Sequence, residues 1–316
     1  MNIRTFTKTI TILCMAGILV SCAPIQPAEA LPPLRVEYTD WSGDFTILIA
    51  RELGLFEKYG VDVEPVYFPI FGEAIPALAT GNIDGGLFAL GDTLNTNSVS
   101  PVMIVALYDD GGTNYIVGTP DVPTSADVRG KRIGVPVGSI YELFVTEMLK
   151  QNGLTTRDVT LVNMDVEEVP ASLGLSIDAG YVWDPLATEA LANGGTLLYK
   201  SGRENTVNPD VIVFRKDVIE RRPEDIRAFL QAWFEAVQYR RENPQLANEI
   251  LARVLDTPVE ELTVDSYIFT AQENRSAMDS GILTEAINAN ADFLIRIGSL
   301  SQKPILQQLV DPSFIP

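Results

Sequence analysis

The chain has 316 residues, with 23 Lys and Arg against 42 Asp and Glu, a formal charge of −19 and no histidine. This acidity excludes a nucleic-acid partner, whose phosphates need a basic stripe. The missing imidazole excludes Ser-His-Asp and Cys-His catalysis, histidine general bases and histidine metal ligands. No D-x-D-x-D run offers a carboxylate metal loop, so neither metal nor cofactor is expected.

The first segment sets the expected compartment. Arg4 and Lys8 precede an apolar run from Ile10 to Val20. A spanning helix needs about 20 apolar residues, so the run is too short to cross a bilayer and reads as an export signal. Leu19-Val20-Ser21-Cys22 resembles a bacterial lipobox. In that reading residues 1–21 are removed and Cys22 carries lipid; cleavage after Ala28-Glu29-Ala30 is the alternative. Residues 22–33 hold four prolines and read as a tether. The two cysteines are Cys14 and Cys22, so the body beyond has neither thiol nor disulfide and depends on its core.

Strand, loop and helix signals then alternate. Leu34–Tyr38 reads as a strand, Asp40–Asp44 as a loop, and Phe45–Leu55 as a helix with Gly54 and Gly60 at its end. Val61–Tyr67 alternates like a strand, Phe71–Thr80 is helical, and Ile83–Phe88 is a third strand. The order recurs at Lys131–Pro136, Ile140–Gln151, Val159–Asn163 and Ile177–Val182. Gly60 matches Gly153, Asp84 matches Asp178, and Ser42-Gly43 faces Gly138-Ser139. Two similar α/β lobes follow, each a mainly parallel sheet flanked by helices.

Val102–Leu107 and Asn114–Val117 bracket the exit from lobe one, and Val211–Arg215 is an extended run that carries the chain back. These two crossing strands are expected to form a hinge. Lobe one then comprises 34–110 with 216–316, and lobe two 111–215. Helices are expected from Pro223, over about 244–255 and over 281–298. Asp109-Asp110 is read as a solvated pair in a turn, not a catalytic one.

Ligands in open α/β sheets bind beyond the carboxyl ends of the strands. The candidate loops supply Asp40, Trp41, Ser42, Phe71, Gly72, Glu73, Asp92 and Thr93 on one wall. Gly138, Ser139, Tyr141, Trp183 and Asp184 come from the other. Gly138-Ser139 opens a helix, where free N–H groups suit an anion or Ser139 simply caps. Trp41 and Trp183 are expected on loop tips, for stacking on a planar or cationic ligand. The acidic loops suit a ligand with donors or positive charge. Gly130-Lys131-Arg132 lacks a phosphate-loop context, and the Gly85-Gly86 and Gly111-Gly112 pairs lack a dinucleotide fingerprint.

Four stretches together are similar to one family. They are Arg51–Glu64 (RELGLFEKYGVDVE), Ala77–Asp84 (ALATGNID), Val128–Val135 (VRGKRIGV) with Gly138-Ser139, and Trp183-Asp184-Pro185. They resemble the nitrate/sulfonate/taurine and thiamine-precursor type of periplasmic binding protein. The resemblance implies a two-lobed type II fold, no enzymatic activity, and a monomer that delivers a small polar solute to an ABC permease and ATPase. It maps binding positions onto the Asp40-Trp41 loop, Ser139 and Trp183-Asp184. Thiamine-pyrimidine binders and the related pyrimidine-forming enzyme use histidines, and this chain departs from them there. A sulfonate or taurine-like solute, or a related nitrogen compound, is the leading expectation. A pyrimidine, other N-heterocycle or flavin is the alternative, and an input subunit for a separate receptor is less favoured.

The lipobox reading has a direct check. The exported chain should carry radiolabel from fatty acid, and Cys22→Ser should abolish the label and release the protein from the membrane fraction. Unchanged labelling of that variant would place the processing elsewhere.

Overall fold

Short β-rich runs separated by glycine turns build the frame. The computed structural model describes residues 31–316 apart from 113, 202–207 and 263–266. Cys22, the signal segment and most of the tether lie outside the described residues. Residues Pro33–Pro316 form one unit.

The first sheet contains β1 (Leu34–Tyr38), β2 (Val63–Tyr67), β3 (Gly85–Ala89) and β4 (Val102–Asp109). The second contains β5 (Asn114–Gly118), β6 (Arg132–Val135), β7 (Thr160–Asn163), β8 (Ala179–Trp183) and β9 (Thr196–Lys200). The last strand, β10 (Asp210–Arg215), returns to the first sheet. The strand orders are β2-β1-β3-β10-β4 and β7-β6-β8-β5-β9. In each sheet four strands run one way, and the strand contributed from across the chain, β10 or β5, runs against them. Both sheets are therefore mixed, with the same topology.

The sequence repeat has a physical counterpart. The Arg35 backbone N–H and guanidinium bind the Asp84 carboxylate at 3.0–3.3 Å. Arg132 binds Asp178 in the same way at 2.8–3.2 Å. Each pair ties the start of the lobe's first strand to the residues entering its third. Gly60 and Gly153 both take a left-handed backbone, with φ of 79° and 67°, where a helix gives way to the next strand. Glycine avoids the Cβ penalty of that conformation.

Three expectations need correction. Val211–Arg215 does not belong with lobe two up to 215. From Asp210 it pairs with β3 and β4, so the chain is back in the first sheet before that residue. The exit falls at Asp110–Gly112, between the two runs expected to bracket it. Asp109 and Asp110 are buried, at 1% and 7% exposure, instead of solvated. Leu90–Val99 is a helix, although Gly91, Asp92, Asn95 and Asn97 leave it no apolar stripe. Strand β9 and the helices Leu186–Ala192 and Ala271–Ser280 also had no sequence forecast.

The helix Pro223–Glu242 covers one face of the first sheet. Its Phe229 and Trp233 are fully buried. Phe229 meets Phe56 and Phe214 with ring centroids 5.7 and 5.3 Å apart. Each such side chain contributes about 1.5–3 kcal/mol by leaving water. Among the described residues no helix is long and apolar enough to cross a membrane.

The Arg132 hydrogen bonds pull the Asp178 carboxyl down to about 2. A depressed carboxyl stabilises the fold above its unfolded pKa, and that contribution disappears as pH falls through the folded value. Asp178→Asn should therefore lower the urea midpoint at pH 7, with the gap to wild type closing between pH 4 and pH 2. A gap independent of pH would show that packing, not charge, is responsible.

Candidate functional site

A cavity lies where the carboxyl ends of the two sets of parallel strands meet. Its non-atom space is about 430 Å³, counted to the open mouth. Thr39, Trp41 and Asp44 follow β1, Tyr108 ends β4, and Phe71 starts a helix. Tyr181 and Trp183 come from β8, Tyr141 from the helix after β6, and Asn114 from the start of β5. Asn208 and Asp210 enter where the chain returns to the first sheet. Both sheets thus contribute wall and floor.

The aromatic wall is continuous. Tyr141 stacks on Tyr181 at 4.9 Å, and Trp183 lies 5.6 Å from Tyr141 and 6.1 Å from Tyr181. Phe71 meets Trp183 edge-on at 6.3 Å, joining the first lobe to the second. The Tyr141 hydroxyl crosses the same divide and donates to Asp92 at 2.7 Å.

The carboxylates are unusually deep. Asp44 accepts from the Thr39 backbone and hydroxyl at 2.9 and 2.8 Å and from the Tyr108 hydroxyl at 2.8 Å. Burial outweighs those bonds and pushes its carboxyl up to about 7. Burial likewise pushes Asp92 up to about 6 against the Tyr141 bond. Desolvation and neighbouring acids raise Asp109 and Asp210. Behind the Trp41 turn, Arg240 donates to the Thr46 hydroxyl at 2.9 Å and the Ser42 carbonyl at 3.1 Å, which fixes the turn. Among the described residues no group of histidine, cysteine and carboxylate side chains is placed to hold a metal ion.

Of the residues singled out in the sequence, Trp41, Phe71, Tyr141 and Trp183 line the cavity. Trp41 is buried, at 8% exposure, rather than displayed on a loop tip. Asp40 sits outside, accepting from Tyr67 at 2.7 Å. Gly72 and Glu73 are exposed on the helix Phe71–Thr80. Ser42, Asp92 and Thr93 are buried in the layer behind the lining. Ser139 donates to the Pro136 carbonyl at 2.6 Å and accepts from the Tyr141 N–H at 3.2 Å, so its hydroxyl is engaged as a cap. The Gly138 N–H donates to Glu142 at 2.6 Å, so a carboxylate of the protein already occupies this helix start. Asp184 caps the helix Leu186–Ala192 by accepting from the Thr188 N–H and hydroxyl.

The family follows from comparison. The NMT1/THI5 like family model matches residues 43–247, more than half of the chain. The chain belongs to the NMT1/THI5-like family. A putative binding protein of Brucella abortus is 26% identical over 93% of this chain and 94% of its own length. The taurine-binding periplasmic protein of Escherichia coli is 28% identical over 77% of this chain and 80% of its own. The periplasmic aliphatic sulphonate binding protein SsuA of Escherichia coli has the same fold, with a TM-score of 0.72 at 19% identity, covering 88% of this chain and 92% of that one. Within the NMT1/THI5-like family this chain is a binding protein, not an enzyme.

The residues that sequence reasoning missed lie at the chain crossings. Asn114, Asn208 and Asp210 flank the exit and the return, and Thr39 and Tyr108 end their strands. The available signal was Asn208-Pro209-Asp210 set directly before the apolar run of β10.

A carboxyl held above its unfolded value favours the fold most below pH 4 and loses that contribution as pH rises through its folded pKa. For Asp92 the window runs from about 4 to about 6, and its removal is worth about 2–3 kcal/mol. Asp44 acts in the same direction up to about 7. Denaturant midpoints of the ligand-free protein should therefore fall between pH 4 and 7, and Asp92→Asn should flatten the slope. An unaltered slope in that variant would remove Asp92 from the account.

Proposed function

We propose that this chain is the extracytoplasmic, lipid-anchored solute-binding component of an ABC importer. The lipid sits on Cys22. The two lobes close on one small polar organic solute and present the loaded protein to a permease and its ATPase. The observation that carries the reading is the cavity itself: it lies at the carboxyl ends of both sheets, each sheet supplies part of its lining, and Tyr141–Asp92 spans the divide. A site split in this way forms only when the lobes meet, which couples binding to closure.

The taurine and sulphonate names of the relatives set the scale of the solute, and the deep carboxylates favour one that carries nitrogen. The ring wall of Tyr141, Tyr181 and Trp183 supports a second reading, a pyrimidine of thiamine-precursor type or another N-heterocycle. The lobes in this proposal are residues 34–110 with the chain from Asp210 onward, and the intervening segment.

Native mass spectrometry of gently purified protein should find one organic molecule per chain, lost on denaturation. Small-angle scattering should report compaction when that molecule is restored. Trp183→Ala should remove both signals while melting within a few degrees of wild type. If no solute co-purifies and none in a broad panel raises the melting temperature or compacts the protein, the capture reading fails.

A further inference from the structure

The hydrogen-bonding chemistry of the cavity is one-sided, and this narrows the solute if the capture reading holds. The hydroxyl donors of the lining point into the protein. Thr39 and Tyr108 donate to Asp44, Tyr141 to Asp92 and Tyr181 to Asn114. The Asn114 amide donates to the Gly111 carbonyl at 2.7 Å. A sulfonate or carboxylate needs several donors, and the hydroxyl donors here are spent, which leaves the buried Trp41 indole N–H. No lysine or arginine lines the cavity. The nearby Arg240 faces the Trp41 turn through Thr46 and Ser42.

Acceptors remain. Asp210 lines the cavity from the first residue of β10, and among the described residues no hydrogen bond or ion pair reaches its carboxylate. The charges that act on it are Asp109, Asp44, Asp92 and Asp110, all of its own sign. Trp41 leaves one donor over, which would suit an acceptor atom elsewhere on the solute. It lines the cavity at 8% exposure, and its buried indole N–H has no partner among the described residues. A partly buried carboxylate with no partner is costly unless a group that donates to it is bound.

We propose that the cavity binds a flat organic cation, an amidinium or protonated aromatic nitrogen, with Asp210 as its counter-ion and the Tyr141–Tyr181–Trp183 rings as its stacking wall. The cation's donors meet the Asp210 carboxylate, and its π-face lies on the rings, where cation–π attraction adds to dispersion. Asp44 also reaches the lining, and the other deep acids contribute field rather than contact. They repel anions from the cleft and favour a cation within it. Without a ligand this arrangement holds like charges close together at the expense of stability, as burial and neighbouring acids push the Asp210 carboxyl well up.

The probes are benzamidinium, benzamide of the same shape without charge, benzenesulfonate, and taurine, at matched ionic strength. Thermal shift and calorimetry are run on the whole processed protein. Benzamidinium should stabilise wild type, and benzamide should need about tenfold or more concentration for the same shift. Benzenesulfonate should give none. Asp210→Asn should melt above wild type without ligand, because a repulsive charge is gone, and should lose the benzamidinium response. Asp210→Glu should keep part of the response, and Trp183→Leu should weaken it with the fold intact. Equal stabilisation by benzamide, or an undiminished benzamidinium response in Asp210→Asn, overturns the inference. Stabilisation by taurine or benzenesulfonate alone also overturns it but leaves solute capture standing. Silence from all four probes overturns it too; the capture reading falls as well only if no solute co-purifies and none in a broad panel stabilises or compacts the protein.

Discussion

Each sheet is pinned at its amino end by the same two-residue clamp. Arg35 with Asp84 and Arg132 with Asp178 combine a backbone N–H and a forked guanidinium on one carboxylate. The pairs are only partly buried, so their net contribution to stability is modest. Their geometric effect is larger. With the first and third strands in fixed register at one end, the loops at the other end are free to differ between lobes. One lobe places a buried Trp41 turn there, and the other a capped helix start. The clamp is the conserved-by-construction part of the repeat, and the site is built from what the clamp leaves unconstrained.

That unconstrained end concentrates charge of one sign. Asp44, Asp92, Asp109, Asp110 and Asp210 approach one another with Arg240 as the neighbouring cation. Glu37 adds a further carboxylate beneath them, fully buried in β1, with one oxygen accepting from the Leu87 N–H at 3.0 Å and the other unpartnered. Burial pushes Glu37 well above the ordinary carboxylate range. Taking charge from water is expensive, so such groups shed it by holding protons or by meeting a cation. The tyrosine hydroxyls around them moderate the cost in part, since hydrogen bonds to a charged acceptor are among the stronger ones.

The frame was legible because its strands are short runs of Val, Ile and Leu bounded by glycine, and because the repeat placed Asp84 and Asp178 in register. The site was legible only where an aromatic stood at a strand end or a helix start, as with Trp183, Tyr141 and Phe71. Asp210 was not, because its position follows from the insertion of β10 between β3 and β4, a pairing across more than a hundred residues. Polar residues at helix starts were ambiguous for a physical reason: a side chain that can cap a helix can also bind a ligand. Ser139 and Asp184 are taken up by capping. The helix Leu90–Val99 was hidden because its polar residues leave no apolar stripe, although it packs on β3, β4, β10 and the helix Ile282–Arg296 of its own lobe and touches the other lobe at its start. A Cβ on Gly91 would overlap the Ile140 side chain, so the glycine there admits close lobe contact rather than a turn.

The Glu142 carboxylate accepts from the Gly138 N–H within the same chain. Tethered four residues away, it competes for that N–H as an intramolecular ligand, at an effective concentration on the order of millimolar or above. A free anion below that concentration would have to displace a rival that never diffuses away. The helix start therefore acts as an occupied socket. A single acid at the second position of the helix Tyr141–Gln151 thus takes up the Gly138 N–H from within the chain.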